Sequence, residues 1–338
     1  MPFQEFACSG LWVASTNGDY KDRIWIRDSV FIILYYMKMG ESSVQIVQDA
    51  LDTIGNLWDV SSEDNDYVRP AVCYSRDLKP VSVPNYLTGE SADIQNDTLG
   101  EILWLYCEAY EKGLYTFTPN WDRVIENIIA TLFRERYWEQ ADAGFWEMEP
   151  TLRASSVGIC VSGLRRLVSI DATKQWSSSW DADTVRTLLE KGYESLYKLL
   201  PNETSNRAYD SSLLYLIWPF AAVDGVMALQ ILGRVLNLRG WIGFWRFTND
   251  PYYLRDGEIA EWGMTAPHML LCMNQIGLYP VEEDPKDWES IKLLEEKNYP
   301  ESFVGLEKEP NVNTPLAWTK AMCLLATLEL SHNASPVD

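Results

Sequence analysis

Glu147 closes the stretch Ala143-Gly144-Phe145-Trp146-Glu147, on a glycine-loosened loop between two helical patterns. A carboxyl group beside an indole loses water. That favours its neutral form and moves its pKa up toward neutrality, as a proton donor requires. Taken alone, Glu147 reads more simply as an exposed loop acid following a core Trp. The case for chemistry rests on what recurs along the chain. Trp25, Arg27, Asp28, Gln95, Asp97, Ser155, Ser156, Asp210, Arg246, Glu261, Trp262 and Glu301 also stand at, or just ahead of, the starts of apolar helical runs. Each of them singly is as well read as a helix cap or an ion-pair member. Gathered around one hollow, they would suit a neutral polyol ring: indole faces for its C–H surface, charged groups for its hydroxyls.

The elements that must gather them are helices. Residues 97–106, 155–168, 210–220, 259–276 and 315–330 are apolar nearly all round, and residues 28–39 open another such run. All-round apolarity implies burial on every side. Between them lie one-sided patterns. In residues 121–133, Trp121, Val124, Ile125, Ile128, Ile129, Leu132 and Phe133 form a single stripe at helical spacing. Buried helices thus begin near residues 28, 97, 156, 210, 261 and 315, alternating with amphipathic ones. This loose hairpin repeat predicts an all-α fold, an (α/α)6 toroid spanning 1–338 as one catalytic-type domain. Asp28 or Ser29 is the expected cap of the first inner helix. Thr314 and Pro315 are the expected N-cap and first residue of the last. One outer helix lacks a counterpart, because residues 1–9 are too short for it. The count is eleven helices, with a gap left open or filled from elsewhere. The Pro-containing segment 61–94 is long enough to be functional, and Tyr67, Tyr74, Arg76 and Tyr86 mark it as a site wall.

The 338 residues carry a net charge of −21, which argues against nucleic acid and against an anionic membrane surface. No uncharged apolar run reaches transmembrane length, and no basic-then-apolar leader is present. The six Cys form no C-x-x-C pair and read as buried thiols, so a cytoplasmic location is expected. Two His, His268 and His332, are too few for a His-based metal site, and the expected chemistry needs no metal and no cofactor.

Trp25-Ile26-Arg27-Asp28-Ser29, Gly144-Phe145-Trp146-Glu147, Ser155-Ser156-Val157-Gly158 and Pro315-Leu316-Ala317-Trp318 resemble, in this order, glycoside hydrolase family 15. That glucoamylase-like clan includes the α and β regulatory subunits of phosphorylase kinase. Residues 10–15, 212–224 and 246–250 look especially like those subunits. The resemblance implies inverting hydrolysis of α-glucosides from the non-reducing end. It implies Glu147 as general acid and Glu301, in Tyr299-Pro300-Glu301-Ser302, as general base. It further implies Arg27 and Asp28 gripping the terminal glucose, Arg246 as a sugar-binding Arg and Asp97 lining the pocket. An inverting pair of carboxyl groups stands about 6.5–9.5 Å apart, leaving room for a water. Three positions depart from the pattern. Lys21 stands where family hydrolases often carry Tyr, with Tyr20 beside it; Ser302 stands where Gln usually follows the base; Met148 follows the acid. No β-sandwich or starch-binding module is in the sequence, so the expected partner is a short α-glucoside oligosaccharide. The alternative reading is a non-catalytic glucan-binding or regulatory domain like the kinase subunits. A plain helical scaffold for protein partners is a third.

Overall fold

In the computed structural model, which describes residues 1–59, 68–116, 118–171, 182–278 and 285–331, six elements close a ring. Helices α1 (Ile26–Lys38), α3 (Asn96–Glu111) and α5 (Ala154–Asp171) are followed by a 3-10 helix, Ser211–Leu216. Helices α8 (Thr265–Gln275) and α10 (Ala317–Ser331) complete it. Each touches the next, and α10 touches α1. Their all-round apolarity is explained by this position: every residue of α1 from Ile26 to Met37 is buried. Outside stand α2 (Val44–Trp58), α4 (Pro119–Glu135), α6 (Ala182–Leu199), α7 (Gly225–Val235) and α9 (Pro285–Glu296). They pack on α1, α3, α5, the 3-10 helix and α8 respectively. Helix α4 buries Trp121, Val124, Ile125, Ile128 and Leu132, and Thr118 caps it by accepting from Trp121 N–H. Phe133, at the edge of the expected stripe, is exposed.

The vacant outer position is filled by the chain's own first residues. Phe3 and Phe6 are fully buried. Phe3 packs edge-on against Tyr35 and Tyr36 of α1, and Lys320 of α10 lies over both Phe rings and pairs with Glu5. Aromatic bulk does there what a helix does elsewhere, so the expected gap is closed from within.

Short strands carry the loops at one mouth. They are β1 (Ala7–Cys8), β2 (Leu11–Trp12), β3 (Arg23–Trp25), β4 (Cys73–Ser75), β5 (Glu261–Trp262), β6 (Ser302–Val304) and β7 (Glu309–Pro310). They pair as β1-β2, β3-β4 and β5-β6-β7, all antiparallel.

The expected helix starts need correction. Helix α1 begins at Ile26, not at a cap on Asp28 or Ser29; its first N–H is taken by Val72 O at 3.0 Å. Asp142 accepts from Asn96 N–H at 2.9 Å, capping α3, and Glu203 accepts from Ser155 N–H at 3.0 Å near the start of α5. Distant carboxylates therefore do what local caps would do. The fourth inner element is the short 3-10 helix rather than a run over 210–220. The fifth helix begins at Thr265 because Glu261 and Trp262 are committed to β5. The last begins at Ala317, and Thr314 Oγ1 donates to Asn311 O instead of capping it.

Candidate active site

Arg27 projects from the first turn of α1 and is 4% exposed. Its Nη1 donates to Gln95 Oε1 and Asp97 Oδ2, both at 3.3 Å, and its Nη2 pairs with Glu147. The rings of Trp25, Phe145 and Trp318 lie 5.1–5.6 Å from the guanidinium carbon. Burial works against the charge, but Glu147 and Asp97 more than offset it, so the pKa of Arg27 is raised and the cation is secure. Beside it Asp28 is buried, and burial against the opposing pull of Arg27 pushes it up to about 7.

Glu147 sits between α4 and α5 in a turn closed by Glu147 N–H to Gly144 O and Met148 N–H to Ala143 O. Its φ of 49° is left-handed, an uncommon state for a residue with a side chain and one often found at working sites. Gly144 makes the turn possible: its φ is 61°, and a Cβ there would lie 2.3 Å from Arg153 Cδ. Arg153 in turn donates to Asp142 O and Glu149 O across the base of the loop. Burial raises the pKa of Glu147; Arg27 and Arg246 oppose that rise. The indole of Trp146 is fixed by donating to Asp210 Oδ1 at 2.9 Å.

Glu301 comes from the segment leading into β6 and then α10. Its Oε2 accepts from Asn311 Nδ2, from Asn313 Nδ2 at 2.8 Å and from Tyr253 Oη at 3.5 Å. Burial pushes it up to about 7, against the two amides and Arg246, and the negative charge of Glu147 adds to the rise. Arg246 is clamped in two bonds, 2.6 and 2.7 Å, by Asp250. Its guanidinium carbon lies 4.5 Å from the ring centre of Trp262 and 5.6 Å from that of Trp146.

Trp25, Arg27, Asp28, Trp146, Glu147, Arg246, Trp262 and Glu301 all line one cavity. Six expected members do not: Gln95, Asp97, Ser155, Ser156, Asp210 and Glu261. Gln95, Ser155 and Asp210 are buried and bonded to Arg27, Glu203 and Trp146 respectively, and Ser156 is buried in α5. Asp97 is fully buried behind Arg27 and reaches the cavity only through it. Glu261 turns away: its Oε2 accepts from Ile242 and Gly243 N–H at 2.6 and 3.0 Å, and its Oε1 pairs with Lys308 at 3.0 Å. The reason is strand alternation. On β5 neighbouring side chains face opposite ways, so Trp262 takes the cavity and Glu261 the back. Among the described residues no group of three or more His, Cys, Asp or Glu could hold a metal. His268 is buried with its Nε2 2.8 Å from the carbonyl oxygen of Trp218, and burial drops its pKa to about 3. His332 and Tyr67 lie outside the described residues. All six cysteines are free, and no described helix is long and apolar enough to cross a membrane.

The family model of the glycosyl hydrolases family 15 matches residues 4–247, well over half of the chain. The chain belongs to that family. The match takes in Trp25 through Arg246 and ends before Glu261, Trp262 and Glu301. No curated protein matches the chain in sequence. Among solved structures, a wild-type glycosidase aligns over 97% of this chain and 93% of its own, with TM-score 0.75 and 17% identity. The glucoamylase from Saccharomycopsis fibuligera covers 98% and 92%, with TM-score 0.69 and 14% identity. A GH63 mannosylglycerate hydrolase from Thermus thermophilus, solved with glucose, covers 96% and 98%, with TM-score 0.66 and 12% identity. These likenesses carry the (α/α)6 toroid.

Within this family 15 cavity several side chains escaped sequence reasoning. Tyr20, Asn85, Tyr252, Phe145, Met264 and Trp318 also line it. Tyr20 is the telling one. It is buried against Trp25 and Tyr86, while its neighbour Lys21 is exposed. A tyrosine thus lines this cavity from the position just before Lys21. Of the expected wall over 61–94, Tyr86 reaches the cavity. Tyr74 is buried on β4, and Arg76 is held outside by Asp22.

Proposed function

We propose that this family 15 glycoside hydrolase is an inverting, exo-acting enzyme that removes α-linked glucose from the non-reducing end of short oligosaccharides. One observation carries the reading: Glu147 and Glu301 share a single cavity walled by Trp and Arg, and they enter it ahead of α5 and α10, the third and sixth members of the ring. Members three places apart face each other across a six-membered ring, the arrangement that seats a sugar between two acids.

Glu147 donates its proton to the glycosidic oxygen as the C1–O bond breaks. Glu301 takes a proton from a water whose oxygen bonds to C1 from the other face, giving β-glucose. In the free cavity the two acids are not yet poised, since Glu147 is paired with Arg27. A terminal glucose whose hydroxyls occupy Arg27 and Asp28 draws that cation away. Glu147 then loses the interaction that favours its anion and takes up a proton. Trp25, Trp146 and Trp262 offer ring faces, Arg246 a second donor, and Asp97 holds Arg27 in place. Tyr20 stands where it can meet the reacting sugar. The six free thiols fit a reducing, cytoplasmic setting, and we take 1–338 as one catalytic domain.

The test is a screen of α-linked disaccharides with glucose detection, followed by NMR of the first-formed anomer. Release of β-glucose supports the reading; release of α-glucose first would overturn inversion. The Arg27–Glu147 pair also favours a second reading, a glucan-binding regulatory domain whose acid is permanently engaged. Steady turnover of any α-glucoside disposes of it.

A further inference from the structure

Trp241 is 85% exposed, at the tip of a hairpin. Most Trp side chains are largely buried, so one held out in water needs a cause. The hairpin is built to hold it there. Arg239 pairs with Phe244, and Gly240 N–H donates to Gly243 O at 2.8 Å, closing a tight turn. The carboxylate of Glu261 reaches under the turn and accepts from Ile242 and Gly243 N–H, with Lys308 securing its other oxygen. Glycine at 240 leaves room for this brace, because a Cβ there would lie 2.3 Å from Glu261 Cδ and displace it. The backbone bonds and Lys308 hold the pKa of Glu261 below the usual range despite burial, so this brace stays charged. Behind the turn, Phe244 pairs with Trp262, which lines the catalytic cavity. Beside it runs a groove of about 370 Å³ whose far side is Glu289, Ser290 and Leu293 of α9.

We infer that Trp241 and this groove form a second glycan-binding site, outside the cavity, that anchors an α-glucan chain. An exposed indole supplies a flat face for a sugar ring, and the carboxylate of Glu289 beside it supplies an acceptor for a sugar hydroxyl. An anionic membrane is disfavoured by the charge of −21. The inference rests on family 15 membership for a glucan ligand, but not on the roles of Glu147 and Glu301. It extends the substrate from short oligosaccharides to longer chains held at a distance from their cleaved end.

The experiment is electrophoresis of the full chain through native gels containing soluble glycogen. The parent and Glu147→Gln are retarded. Trp241→Ala binds glycogen about tenfold more weakly, the loss of one aromatic platform, and Trp241→Tyr falls between. Maltose hydrolysis is the same in Trp241→Ala as in the parent. Equal retardation of Trp241→Ala and parent overturns the inference, as does a parent that glycogen does not retard. Persistence of hydrolysis in Glu147→Gln would sink the catalytic assignment and leave the Trp241 result standing.

Discussion

The wall that carries Glu147 and the wall that carries Glu301 present the same functional group in opposite ways. Glu147 stands on a bent loop with left-handed backbone, paired with a buried cation. Glu301 stands at a strand edge, cradled by the neutral amides of Asn311 and Asn313. A cation can be drawn off by a ligand, and its partner then changes protonation. Amides fixed by a small sheet cannot be drawn off, and they favour the ionised form at all times. The first arrangement suits a group that must gain a proton when substrate arrives. The second suits one that must stay a base. Burial raises both acids, so the partners, not the burial, distinguish them.

The largest effect that could break this contrast is in catalysis. Glu147→Gln and Glu301→Gln should each lower turnover of a cleavable α-glucoside by about 10²–10⁴-fold, with unfolding still cooperative in urea. Near-parental rates in either variant would end the two-acid account. Next comes the cation. Arg27→Met leaves Asp97 and Glu147 buried without their partner, which should cost about 3–5 kcal/mol of stability, read from the urea midpoint. A variant as stable as the parent would mean that Arg27 is not what holds that wall.

A smaller effect sharpens the base side. Asn313→Ala removes one donor to the anion of Glu301, so the acidic limb of kcat/KM, expected near 7, should move to higher pH. The rate at its plateau should fall by about tenfold or less, as for one lost hydrogen bond. An unmoved limb would show that Asn313 does not act on the base.

The last effect is global. Burial pushes Asp28, Asp142 and Glu301 up to about 7 and Glu203 up to about 8, whereas unfolded carboxyls titrate near pH 4. The folded chain therefore keeps protons that the unfolded chain releases. Stability from this source is full below about pH 4 and is lost as pH rises through about 7–8. Glu261, held below the usual range under the surface turn, contributes in the opposite sense. The urea midpoint should be higher at about pH 6 than at about pH 8. A midpoint that climbs over that interval would contradict the raised values.

Much of the ring was legible in the residues. Runs apolar on all sides can only be interior, and a stripe such as that of α4 can only lie on the outside. The positions of Arg27, Asp28, Trp146 and Glu147 followed from helix starts sharing one mouth. What could not be read was anything supplied from a distance. Asn96 N–H finds its acceptor at Asp142 and Ser155 N–H at Glu203, so local capping patterns had nothing to report. Phe3 and Phe6 replace a helix without any helical period.

The sequence by itself determined the order of inner and outer elements and the kinds of side chain collected where the inner ones begin, because periodicity and burial are local properties of a chain. Only the tertiary structure decided which of those side chains face the hollow. Glu261 and Trp262 are neighbours in the chain, yet one braces a surface turn and the other lines the cavity. Strand pleat and loop path make that choice, through contacts between residues far apart in sequence.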